Sequence, residues 1–369
     1  MNRTIVFALA LSVAVGSCAQ TYQVIDLGIH PGFDTSEPTG INNVGQVSGF
    51  SSRNGDSFRR AFFYDKPACQ MADIGAAVPQ ATSEAAAISN SAMVVGTFQR
   101  ADGRLRAFSF HQGVFKDLGG DDRLDHHALA VNKSGRTVGF QSVPGLATEE
   151  AVAYANGQGV AFPNFVVVPP SGTAFVNKAA GISEFGEVTG PLKASGGSIL
   201  GMKLFPNLNR WFQIRPASPH PLLPDFDRVM RPAAINANGN VTGTIGSAVP
   251  HAFLSRNHFE PTRDLGTLDP AHPEWFSVAN ALNASAQVVG VAQSGAQITA
   301  FLHNGTAMID LNTRLPDGSG WRLIGATAIN DKGQIAAQAT LNDGPRRAVL
   351  LLPVGILGGV GQLCPPVLP

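Results

Sequence analysis

Glu37, Glu84, His127, Lys178 and Arg231 each stand four residues ahead of a nine-residue string that recurs along the chain. In the two remaining copies that place holds Val278 and Gly325. Five consecutive copies therefore carry an ionisable side chain at one structural position, acidic on one arc and basic on the other. Such an arc can hold a polar ligand, with Lys178 and Arg231 taking an anionic group and Glu37 and Glu84 the opposite end. The alternative is plainer: residues at the start of a surface strand are solvated and pair with one another, and structural ion-pair networks imitate sites. Glu37 and Glu84 are also the pair to nominate for a hydrolase or lyase. That chemistry wants two carboxyl groups about 5–10 Å apart.

Other chemistry is thin. Asp121 to His127, "DDRLDHH", gathers carboxylates and imidazoles of metal-binding type. However, Asp125, His126 and His127 are neighbours, and adjacent strand residues point to opposite faces, so a solvated loop is expected there and no metal. Trp275 and Trp321 precede the last two copies and are candidate stacking platforms for a sugar or peptide. The chain has no G-x-S-x-G, Walker, H-E-x-x-H or EF-hand pattern. No catalytic residue and no cofactor is assigned. Arg346-Arg347 reads as strand without aromatic interleaving, which speaks against nucleic acid.

The string sets the architecture. Its copies are "INNVGQVSG" from Ile41, "ISNSAMVVG" from Ile88, "VNKSGRTVG" from Val131, "ISEFGEVTG" from Ile182, "INANGNVTG" from Ile235, "LNASAQVVG" from Leu282 and "INDKGQIAA" from Ile329. The intervals run from 43 to 53 residues. Asn or Ser at the second place can bond its own backbone two residues on. Gly at the fifth supplies the positive φ of a tight hairpin, so Ala92 and Ala286 there predict strain or another turn type. An "RAF" or "HAF" strand follows, at Arg60, Arg106 and His251 with a near match at Thr299, and then a strand ending in "DLG" or "DIG".

Four strands per unit and seven units predict an all-β, seven-bladed propeller of four-stranded blades over residues 20–353. The seventh unit lacks its "DLG" strand, while "YQVIDLG", Tyr22 to Gly28, precedes the first. That complementary deficit predicts a ring closed by the N-terminal strand as the outer strand of the last blade.

"ALNASAQVVG", "HAFLS", "RDLGTLD" and the repeated "IN-x-x-G-x-V-x-G" resemble the bacterial extracellular HAF repeat family, over residues 22 to about 353. Units three and four depart from the tripeptide, with "EAVAY" and "LGMKLF" in its place. The resemblance implies an exported repeat protein and transfers no catalytic residues.

Export is also read directly. Residues 1–19 carry Arg3, an apolar run from Ile5 to Val15 and then small residues, which is the pattern of a secretory signal. Cleavage after Ala19 would release the protein. A lipoprotein signal ending at Ser17 would leave Cys18 lipidated and anchored to the outer membrane. The destination is then secreted, periplasmic or membrane-anchored, with no transmembrane helix expected after residue 20. Cys69 and Cys364 can pair in an oxidising compartment and latch a tail over residues 354–369, or remain single. Lys plus Arg equals Asp plus Glu at 26 each, so no global field selects a polyanion. The function expected is a non-catalytic binding or surface-interaction module. Its partner is a small anionic or polymeric ligand, or another envelope or surface protein; the alternative is a hydrolase or lyase acting on an extracellular polymer.

Overall fold

The repeated string folds as the hairpin joining the first two strands of each blade. In the computed structural model, residues 20–354 are described except 55–56, 67, 147–148, 156–157, 163–176, 195–196, 207, 209, 216–227 and 257–259. The signal segment with Cys18 and the tail with Cys364 lie outside the described residues. Cys69 is disulfide-bonded.

Seven four-stranded antiparallel sheets follow one another around a central channel. The innermost strands are Thr35–Ile41, Ser83–Ile88, Asp125–Val131, Gly181–Ile182, Met230–Ile235, Ser277–Leu282 and Trp321–Ile329, for blades one to seven. Blade seven takes its outer strand, Thr21–Asp26, from the start of the chain, paired antiparallel to Arg347–Val354. The ring is therefore closed as its two chain ends predict. In the divergent units, "EAVAY" lies within Glu149–Ala155 and "LGMKLF" within Ile199–Phe205, each the third strand of its blade.

The string is explained residue by residue. Asn42 Oδ1 accepts from the amides of Val44 (3.2 Å) and Gln46 (3.0 Å), which fixes the hairpin. The same side chain donates through Nδ2 to the Ser89 carbonyl of blade two at 3.3 Å. Asn132 donates to Ser183 (3.2 Å), Asn236 to Asn283 (2.8 Å), Asn283 to Asn330 (3.2 Å) and Asn330 back to Asn42 (2.9 Å). A belt of side-chain amides thus stitches five of the seven blade junctions. It lapses where the second residue is Ser89 or Ser183. Those hydroxyls hold their own turns, accepting from Met93 and Glu187 at 3.1 Å, but a serine has no amide to extend to the next blade.

The glycine at the ninth place meets a steric demand. A bulge in the inner strand brings the carbonyl of the residue four before the string against the second strand. A Cβ at Gly49, Gly96 or Gly290 would collide with the carbonyl oxygen of Glu37, Glu84 or Val278. Blade seven has Ala337 there, and its inner strand carries two irregularities instead of one. At the fifth place Ala92 (φ 61°) and Ala286 (φ 59°) adopt the left-handed conformation of the glycines they replace. The turn type is kept, and the strain is accepted.

"HAF" and "DLG" recur together because they touch. His251 Nδ1 lies 3.0 Å from Asp264 in blade five, Arg347 Nη1 2.8 Å from Asp26 in blade seven, and Arg106 Nε 3.5 Å from Asp117 in blade two. In blade six Thr299 donates to Asp310 at 2.8 Å. The phenylalanines of the motif, Phe62, Phe108, Phe253 and Phe301, are completely buried and fill the spaces between blades.

Candidate ligand site at the channel mouth

The channel has two unlike ends. At the end where inner strands finish, the aliphatic first residues of the string surround a cavity of about 200 Å3. Third-position side chains cross it: Asn43 donates to Asp331 at 2.8 Å, and Asn90 to Glu184 at 2.9 Å. Asp331 and Glu184 also accept backbone amides from Ala284 and Lys133, both at 2.8 Å. The polar groups of this end are largely spent on one another, and it serves as a plug.

The opposite end is where inner strands begin, and the aligned residues sit there at one register. Glu37, Glu84, His127, Arg231, Val278 and Gly325 pair across to Phe50, Thr97, Phe140, Thr244, Val291 and Gln338. Lys178 falls just before the short inner strand of blade four.

Most of the predicted arc is internally satisfied. Arg59 Nη1 holds Glu84 at 2.8 Å, and Glu149 holds Lys178 Nζ at 2.9 Å. The Lys178 ammonium lies 4.4 Å from the Phe140 ring centroid. His127 stacks on Phe140 with centroids 4.3 Å apart. Burial is the main cause that brings the His127 imidazole down to about 4, so it is neutral at physiological pH. Arg231 donates to the Gly246 carbonyl at 3.3 Å.

Glu37 differs from these. It accepts from Gln338 Nε2 at 3.2 Å and has no ion pair within contact distance among the described residues. Burial pushes its carboxyl up, against the nearby charges of Arg59 and Arg346.

Glu37 lies in a groove of about 700 Å3 over blades six, seven and one. The groove is also lined by Asn280, Val291, Arg322, Gln338, Thr340, Asp343 and Arg346, among others. Neither Arg322 nor Arg346 makes an ion pair or side-chain hydrogen bond among the described residues. Blade seven thus carries two channel-mouth cations with no ion pair among the described residues; Arg231 of blade five, which meets a carbonyl and no carboxylate among them, is a third, whereas Lys178 of blade four is neutralised. The sequence signal was present but divided. Arg347, the first residue of its strand, is consumed by Asp26, while Arg346 stands just before that strand.

Three further expectations are corrected. Asp125, His126 and His127 belong to the inner strand of blade three, not to a loop. His126 is fully buried, with Nε2 3.1 Å from the Asp121 carbonyl. Arg123 pairs with Asp121 at 2.6 Å and holds its carboxyl far below the usual range. Among the described residues no three metal-binding side chains converge. Trp321 begins the blade-seven strand and packs on the core, while Trp275 stacks on His272 at 4.4 Å; neither lines the groove.

No family model matches the chain, and no curated protein does. Among solved structures it is similar to a puromycin hydrolase, with a TM-score of 0.46 and 12% identity over 86% of this chain and 51% of that one. A puromycin-hydrolyzing peptidase of Mycobacterium tuberculosis gives 0.49 and 10%, over 89% and 55%. TolB of Acinetobacter baumannii gives 0.40 and 11%, over 83% and 79%. The chain spans about half the length of the puromycin hydrolase and of the puromycin-hydrolyzing peptidase. At these identities the likeness extends to the β-propeller fold alone.

Proposed function

We propose that this chain is an exported, non-catalytic propeller of the HAF repeat type that binds its ligand at the channel mouth. Residues 1–19 serve as the export signal, with Cys18 the lipidation point if the protein is anchored. Cys364 is the proposed partner of Cys69, tying down the tail over residues 354–369. The observation that carries the binding function is the groove over blades six, seven and one, with two exposed guanidiniums, Arg322 and Arg346, that no carboxylate pairs with among the described residues. Unsatisfied cations in a concave polar surface are what an anionic group on a ligand needs. The hydrolase or lyase alternative relies on Glu37 and Glu84 as acid and base, and the Arg59–Glu84 ion pair speaks against it.

A thermal-shift screen of the mature domain tests this reading. Organic anions, neutral sugars, peptides and metal salts are compared on wild type and on an Arg322→Ala/Arg346→Ala variant. At least one compound is expected to stabilise wild type alone, by mass action on the folded state. Equal shifts in both proteins, or none in either, would remove the groove from the account.

A further inference from the structure

We infer that the ligand of this groove is an acidic oligosaccharide, its acid groups held by Arg322 and Arg346 and its hydroxyls by the amides and hydroxyls between them. The inference rests on the binding function proposed above and names the chemical class of the ligand.

Three observations carry it. The first is the charge: two guanidiniums with no ion pair or side-chain hydrogen bond among the described residues, whose planar forks match a carboxylate or sulfate. Arg346 lies near enough to Glu37 to act on its carboxyl. Second comes the lining. Asn280, Thr327, Gln338 and Thr340 are neutral groups that both donate and accept, the chemistry that recognises sugar hydroxyls. Asn280 Nδ2 is used on the Ala326 carbonyl at 2.9 Å, while its Oδ1 accepts nothing among the described residues. A site for a bare inorganic anion would need neither this number of amides nor a volume of about 700 Å3.

The third is an unmet hydrogen bond. Thr340 is 7% exposed, lines the groove, and has a hydroxyl with no partner among the described residues. Its oxygen is closed to solvent as the side chain stands; because buried hydroxyls are nearly always paired, a rotation of the side chain toward the groove would give it a partner in a ligand or a bridging water. Thr340 sits directly across the strand pair from Arg322, and Gln338 across from Gly325. Guanidinium, hydroxyl and amide therefore follow one another on two adjacent strands. Site groups mounted on strands are held more precisely than groups on loops.

The test is calorimetric titration near physiological ionic strength with three probes: trigalacturonic acid, its carboxyl-reduced neutral form, and a sulfated trisaccharide. At least one acidic probe is expected to bind more than about tenfold tighter than the neutral one. Arg322→Ala/Arg346→Ala should remove that difference while its melting temperature stays that of wild type, since both side chains are exposed. Thr340→Val, which keeps the shape and deletes the hydroxyl, should weaken binding about fivefold, the worth of one hydrogen bond, without loss of stability.

Equal binding of neutral and acidic probes, undiminished binding by the double variant, or no binding of either acidic probe overturns the sugar assignment. A peptide or small organic acid from the screen that needs the two arginines would leave the binding function standing without the sugar. If nothing needs them, both fall together.

Discussion

Replacing Asn330 should loosen the ring at the junction where the chain closes on itself. This residue is 4% exposed, and its side chain makes four hydrogen bonds. Its Oδ1 accepts from the amides of Lys332 and Gln334, both at 3.0 Å. Its Nδ2 donates to Gln334 Oε1 at 2.7 Å and to the Asn42 carbonyl of blade one at 2.9 Å. Each bond is worth on the order of 1 kcal/mol net, and stranding buried partners adds their desolvation. Because a water can enter the emptied turn, Asn330→Ala is expected to cost about 2–4 kcal/mol rather than the full sum. Asn330→Ser separates the two roles. Serine occupies this place naturally at Ser89 and Ser183, holding the turn without the link to the next blade, so it should cost about 1–2 kcal/mol. The reverse change, Ser89→Asn, should let an amide reach the Asn132 carbonyl and add up to about 1 kcal/mol. Urea unfolding of the mature domain, followed by tryptophan fluorescence and circular dichroism together, reads all three. If Asn330→Ser is neutral and Ser89→Asn adds nothing, the belt of amides carries no stability, and the explanation of the repeated asparagine is wrong.

Two other outcomes follow from the same geometry. Ala92→Gly and Ala286→Gly relieve a left-handed alanine, a gain of about 1–2 kcal/mol offset by about 0.4–1 kcal/mol of added freedom in the unfolded chain. Each should raise stability by roughly 0.5–1 kcal/mol in the same unfolding assay; a loss at both sites would contradict the strain. The fold should also weaken in mild acid. His127 and His303 are brought down to about 4, chiefly by burial, while in the unfolded chain they protonate near their ordinary 6.5. As pH falls from 6.5 toward 4 the unfolded chain takes up these protons first, so stability is full above that window and is lost across it. For His303 the loss is at most about 3 kcal/mol, and His303→Gln should flatten the urea midpoint across that range. An unchanged slope would show that this histidine does not titrate as placed.

The architecture was legible because the same backbone problem is solved seven times. An asparagine that must cap a turn and cross to the next blade, a glycine under a bulged carbonyl, and a His, Arg or Thr that meets the aspartate of "DLG" all leave a period in the sequence. The closing strand was legible for the same reason, as a unit missing at one end and present at the other. The groove was not, because its distinguishing side chains break the period instead of repeating it. Glu37, Glu84, His127, Lys178 and Arg231 do share one register, but register alone does not say which charges are spent. Glu149 and Arg59, which neutralise two of the five, come from third strands. Arg322 and Arg346 stand outside the aligned column, and an unpaired Thr340 hydroxyl has no signature in sequence at all.

The channel-mouth site is tested most directly by hydrogen–deuterium exchange on the mature domain with and without the tightest compound of the screen. Protection is predicted in the strand ends and loops that line the groove, around residues 291–298, 322–327 and 338–346, with none added at the hairpin tips of the plugged end. Protection that falls instead on those tips, or on blades three and four beside Lys178, would place the binding surface elsewhere and contradict the account.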